Sequence, residues 1–439
     1  MIFRFCLYSI FKNLRFFEAF FLVYLLVDRE VGGLGLSLFQ VGSVVGFQKL
    51  LTALCEVPAG VLTDRWGRRR ALLFCFGAYV VAFPGYALSA IFVDRWSLGI
   101  LVFSHAVFAL GEAMRTGSHK AIMLDWLEQT GRSERATEVI ARTRFFSKAA
   151  SASAALGGGW ILYLTGSFAW LFWCATVSAV GGVILMASYP RFLEGEQARA
   201  AALGRRRPTW GAAFRSLRSD RALVFLLAGS VIFEVHAKLG AHYIQPVLEQ
   251  GLRIRDISIA AGAGALVVGF YYFIGYAVGA VSAFASSAAL RWVGSRSRSL
   301  LLAVVLSVVL FLGLGVGLRE NLSAFVLLPA LFAISALQNL RRPIFVASLD
   351  TVMDPRQRAT ILSTESLLRN LGIAILAPLT GLIADRYGLD GAFRLMAVTL
   401  AMSLLFRFGT DPFDRSKSRR NSKTKSGIHH SEITDSTRE

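Results

Sequence analysis

The sequence is poor in charge, and poorest in acid. Only 17% of its 439 residues are charged, and 28 acids stand against 47 lysines and arginines. No polar stretch is long enough to form a soluble domain that stands alone. Cysteine is equally scarce. Cys6, Cys55, Cys75 and Cys174 lie inside or at the start of apolar runs, so no disulfide framework is indicated and packing is their expected role. No Gly-Lys dipeptide occurs, which argues against a phosphate-cradling loop and ATP-driven work by this chain. Neither a nucleophile–base set nor a metal-ligand spacing is present. An enzyme is therefore not expected, nor any cofactor or metal.

What is abundant is hydrophobicity, at 55% of residues. Apolar runs of about 20 residues, the length a helix needs to cross a bilayer, recur along the whole chain. Barrel strands would alternate with period two, and these runs do not. The fold class expected is an all-α membrane protein with twelve transmembrane helices at 5–27, 38–62, 71–92, 97–124, 138–163, 167–189, 222–248, 258–289, 299–318, 323–347, 360–384 and 390–409. Arg4, Lys12, Arg15 and Glu18 interrupt the first run and no small-residue cleavage site follows, so a retained first helix is expected.

The formal net charge of +19 would suggest nucleic acid in a soluble protein, but its distribution assigns it to a membrane face. One side carries Arg65, Arg68, Arg69, Arg70, Arg132, Arg135, the arginines from Arg191 to Arg221, Arg291, Arg296, Arg298, Arg341, Arg342, Arg356 and Arg358. The other carries Arg29, Arg95, Arg253, Arg255, Arg319 and Arg386. This bias places both termini in the cytoplasm and the chain in the cytoplasmic (inner) membrane. The expected units are an N-terminal bundle (1–190), a basic linker (191–221), a C-terminal bundle (222–409) and a disordered tail (410–439). The linker reads as a solvated loop or as a segment lying on the anionic inner leaflet, where each Lys or Arg contributes roughly 1 kcal/mol.

The halves repeat. Arg135-Ala136-Thr137 recurs as Arg358-Ala359-Thr360, and at the same offset Gly158 falls on Gly381. Phe17-Glu18 recurs as Phe233-Glu234, and Arg65-Trp66-Gly67 as Arg291-Trp292-Val293-Gly294, with Leu290 in place of Asp64. Ordered matches at nearly constant offset indicate duplication. Two parallel six-helix repeats with a path between them is a transporter architecture.

The stretch Gly60-Val61-Leu62-Thr63-Asp64-Arg65-Trp66-Gly67-Arg68-Arg69 resembles the signature loop of the major facilitator superfamily, Gly-x-x-x-Asp-Arg/Lys-x-Gly-Arg-Arg/Lys. With twelve spans and a basic central loop, the resemblance covers Phe5 to Arg407. It implies a gating role for Gly60, Asp64, Arg65, Gly67, Arg68 and Arg69. Asp64 would face the cytoplasmic end of span eleven, and the arginines would meet acids or helix C-terminal carbonyls. A carboxylate near a helix N-terminus contributes about 0.3–1 kcal/mol, enough to bias two states of similar energy. The glycines of span five, Gly157, Gly158 and Gly159, lack the proline of the family's drug-antiporter motif. That departure argues against drug export by the usual template.

Ionisable residues at membrane depth cost about 2.5–3.5 kcal/mol each, so each is a functional candidate. Arg15 with Glu18 and Glu234 with Lys238 are expected as matched pairs facing a central cavity, serving proton coupling or as fixed ion pairs. Glu112, Arg115 and His119, with His105, form a polar stripe on span four; Arg115 fits the cavity arginine that the family often carries there, and His119 is a candidate proton relay. Glu365 and Arg369 are expected as an internal pair beside Asn370. Glu56 precedes Pro58 in an acid-x-Pro-x-Gly sequence and suggests a gate or a helix bend, and Tyr271, Tyr272 and Tyr276 are candidate cavity aromatics. The expected function is secondary transport of a small-molecule substrate, coupled to protons, by a monomer exporting organic or amphipathic compounds. An importer of a small metabolite, or a non-transporting sensor or scaffold of the same fold, are the alternatives.

Overall fold

The computed structural model describes residues 1–92, 96–115, 118–190, 221–253, 262–349 and 358–405; the side chains of Asp64, Arg65 and several helix-end residues lie outside that description. The expected linker, apart from the backbone of Arg221, and the expected tail also lie outside the described residues.

The N-terminal half contains α1 (Ile2–Asn13), α2 (Phe21–Leu26), α3 (Leu38–Trp66), α4 (Arg68–Ile91), α5 (Ser97–Arg115), α6 (Ser118–Gln129), α7 (Ala136–Thr165) and α8 (Phe168–Ala187). The C-terminal half contains α9 (Arg221–His242), α10 (Ile244–Arg253), α11 (Gly262–Val293), α12 (Arg296–Arg319), α13 (Ala324–Leu349) and α14 (Arg358–Leu405). Among the described residues, eight helical stretches suffice by length and composition to cross a membrane, and the last, Ile361–Leu404, is long enough for two passes. It turns at Gly388, whose φ of 78° is open to glycine but strained for other residues. The remaining three passes, α1 with α2, α7 and α13, are broken or carry more polar residues. Large apolar side chains such as Phe284 and Ile184 face outward, as a lipid-bathed surface requires.

Span one is not the continuous helix expected over 5–27. It breaks between Asn13 and Phe21, where the chain runs through turns. Gly158 of α7 approaches so closely that a Cβ there would stand 2.3 Å from the Phe16 carbonyl oxygen. A broken helix is tolerated at membrane depth only if protein re-satisfies its backbone, and Gln245 of α10 does so from the other half. Its side chain accepts from Val23 N at 2.7 Å and donates to Ala19 O at 2.7 Å. Span seven likewise divides into α9 and α10, and span four into α5 and α6, the latter reaching Gln129.

Ser37 starts α3 through a reciprocal capping box with Gln40. Gly67 alone separates α3 from α4, at a φ of 95°. The most extensive packing between halves joins α3 to α14 and α7 to α11. Along the first seam the fit is tightest at the end away from the basic loops. A Cβ on Gly42 would stand 2.3 Å from Ala377 O, and one on Gly381 2.2 Å from Leu38 O. At Gly60, near the basic end, a Cβ would meet nothing within 4 Å.

Candidate functional site

Between the halves lies a cavity of about 630 Å³. The break in span one supplies Arg15 and Glu18, α3 supplies Lys49, α5 supplies Glu112 and α7 supplies Lys148. From the other half come Glu234 and Lys238 of α9, Tyr271, Tyr272 and Tyr276 of α11, Arg342 of α13 and Arg369 of α14. Six lysines and arginines thus face three carboxylates.

Arg15 does not pair with Glu18 as expected. The break removes the helical spacing that would have aligned them, and Arg15 instead reaches α5, donating to Glu112 Oε1 at 2.7 Å. Arg115 donates to Glu112 Oε2 at 2.7 Å, and the Tyr79 hydroxyl donates to Oε1. Glu112 is therefore held by two guanidiniums and a phenol, a set that offsets the desolvation of its charge. Glu18 is left exposed and without an ion pair among the described residues.

The stripe on span four separates in space. Arg115 lies behind Glu112, outside the lining of the central cavity, and together with His119 lines a second cavity in the N-terminal bundle. His119 stacks on Tyr8 with ring centroids 3.5 Å apart, and its Nε2 lies 3.3 Å from the Tyr189 hydroxyl. A ring in aromatic packing has no contact with the central cavity from which to relay a proton, so the expected placement is corrected. His105 does reach the cavity wall, stacked on Phe21.

Glu234 makes no ion pair with Lys238. Its Oε2 accepts from Gln338 Nε2 at 2.8 Å, and its Oε1 is buried without a partner. The expected Glu365–Arg369 pair is also corrected. Arg342 of α13 donates both Nη atoms to the fully buried Glu365, which also accepts from Ser230 Oγ at 2.9 Å. A planar guanidinium fork from a neighbouring helix binds both carboxylate oxygens at once. Arg369 donates to Ser366 Oγ at 3.0 Å and lines the cavity, and Asn370 is buried. Arg341 and Arg342 are also not loop residues. They lie inside α13, Arg341 fully buried with its guanidinium 4.4 Å from the Phe233 ring centre.

In the signature stretch, Arg68 pairs with Asp125 at 2.6 Å. Arg69 donates to Met186 O and Ala187 O, the last carbonyls of α8. The side chains of Asp64 and Arg65 lie outside the described residues. Both carboxylate oxygens of Glu56 are buried without a partner, two residues from the helix-internal Pro58.

Sequence reasoning missed the cavity cations Lys49 and Lys148, and with them two residues that join the halves. Asp385, in α14, accepts from Leu38 N at 2.9 Å and from Phe39 N at 2.8 Å, the first free amides of α3. It caps a helix of the opposite half. Its signal was present, because Gly381-Leu382-Ile383-Ala384-Asp385-Arg386-Tyr387-Gly388 has the Gly-x-x-x-Asp-Arg-aromatic-Gly form of Gly60 to Gly67. Gln245 is the other, and no local pattern announces it.

Two helical bundles in the membrane, sharing a charged cavity and joined by contacts at one end, define a membrane transport protein. The Major Facilitator Superfamily profile matches residues 13–363, and the chain belongs to that family. Among solved structures it resembles a point mutant of the nucleoside transporter NupG, with 12% identity over 92% of this chain and 98% of that one, at a TM-score of 0.72. A peptide transporter POT in complex with sulfate gives 14%, 92%, 93% and 0.70, and a D-xylose-proton symporter 10%, 94%, 97% and 0.67. At these identities the likeness is one of fold. No curated protein matches the sequence at a significant level.

Proposed function

We propose that this chain is a proton-coupled secondary transporter that carries a small organic solute through the central cavity by alternating access. The observation that supports it is the union of a cavity walled by both bundles with a seam packed most tightly at the end away from the basic loops. That is the geometry of a carrier facing its basic side, which the charge bias assigns to the cytoplasm. Glu18 and Glu234 are the proton carriers in this reading. They are the cavity-lining carboxylates outside an arginine pair. The cavity is complete within one chain, consistent with a monomer. The direction proposed is export, with proton entry driving solute exit.

The test is solute-dependent pH change in reconstituted vesicles. Wild type should move solute uphill on an imposed proton gradient, with the sign of the pH change reporting direction. Glu18→Gln and Glu234→Gln should retain downhill exchange and lose uphill movement. Uphill movement surviving in both variants would remove these residues from coupling, and a proton-independent carrier would remain.

A further inference from the structure

Once the two arginine-held glutamates are set aside, the cavity keeps an imbalance of charge. Lys49, Lys148, Lys238 and Arg369 line it and make no ion pair among the described residues, whereas Glu18 and Glu234 are the carboxylates left to face them. The cations are divided between the halves, two on α3 and α7 and two on α9 and α14. Lys148 lies 5.5 Å from the ring centre of a tyrosine of α11, so cation and aromatic surface adjoin within one wall. A second cavity of about 200 Å³, in the N-terminal bundle, is lined by four lysines and arginines and by no carboxylate.

Charge at membrane depth is costly, and a surplus of one sign is costlier because like charges also repel. Fixed ion pairs would have removed that cost, as they do for the other two glutamates. Unpaired cations in a low-dielectric cavity instead focus a positive potential that concentrates anions. A ligand with one negative group would be shared between lysines of both bundles and would draw the halves together around it.

We propose that the solute recognised in this cavity is a small organic anion, a carboxylate or phosphate ester on an aromatic or apolar body, held chiefly by Lys49 and Lys238. This rests on the transport reading above, because it takes the cavity to be the solute site. The experiment uses the purified full chain at constant ionic strength, since added salt would screen the effect. Its thermal stability is measured against benzoate and phenyl phosphate, their neutral counterparts benzamide and phenol, and benzylamine. Ligands that bind the folded state raise its melting temperature by mass action.

The expected result is a concentration-dependent rise with at least one of the two anions and none with the neutral or cationic compounds. Lys49→Gln and Lys238→Gln should weaken the apparent affinity by about tenfold or more, and Lys→Arg at the same positions should restore it. The arginine variants separate loss of charge from loss of fold. Stabilisation by benzylamine or the neutral compounds but not by the anions overturns the proposal, as does no response to either anion or an anion response unchanged in both glutamine variants. Uptake of the stabilising compound into vesicles is scored separately. An anion that binds without being moved leaves the anion site standing and refutes transport, whereas a neutral compound that is moved does the reverse.

Discussion

Replacing Asp385 with alanine removes the contact that ties α14 to the start of α3. The carboxylate accepts two backbone amides, Leu38 N and Phe39 N, at 2.9 and 2.8 Å. Loss of a helix N-terminal cap costs about 0.5–2 kcal/mol, and loss of a charge at that end about 0.3–1 kcal/mol. Because Asp385 is exposed, solvent screens the electrostatic part, so a total near 1 kcal/mol is the reasonable magnitude. The contact joins the two halves, so it is lost whenever this end opens, and the whole amount acts on the balance between conformations. An equilibrium constant should therefore shift by about fivefold toward the state open at this end. Spin labels at the exposed positions Val31 and Leu322, one in each half, report the separation in a background without the four native cysteines. D385A should increase the population at long distance, and added salt should shift the parent protein partly the same way. An unchanged distance distribution in D385A would refute the idea that this cap holds the end closed.

Glu365→Gln leaves Arg342 facing a neutral amide in a buried site and should destabilise the protein by about 3 kcal/mol, read from its unfolding midpoint in detergent. The double change R342M/E365M should recover most of that loss, and a single-variant cost below about 1 kcal/mol would contradict a tightly held pair. Gln245→Leu strips partners from Val23 N and Ala19 O, at a cost of about 1–3 kcal/mol, and should speed amide exchange in 19–26; unchanged protection there would mean that the break is held by other contacts. Asp64→Asn should reduce transport without reducing insertion or abundance, and full turnover in that variant would remove Asp64 from gating.

The number of passes, the all-α class and the family signature were legible in the sequence because each depends on where single residues partition. An apolar run enters hydrocarbon whatever its neighbours are, and a loop arginine biases topology from its place in the chain alone. Gly158 and Gly381 were also matched from the sequence, and both prove to be points of close backbone approach. What the sequence did not decide was partnership. Arg15 and Glu112 are 97 residues apart, and no helical periodicity joins them. The pairs read at spacings of three and four assumed unbroken helices and local partners. The chain instead breaks at Asn13, while neighbouring helices bring Glu112 to Arg15 and Arg342 to Glu365. Which end packs tightly is likewise a property of the assembled halves, where Asp385 of α14 caps the start of α3 and glycines line the same seam. Partition energies are sums over single residues and can be read along a chain, whereas an ion pair is a product of two positions that only the fold brings within reach.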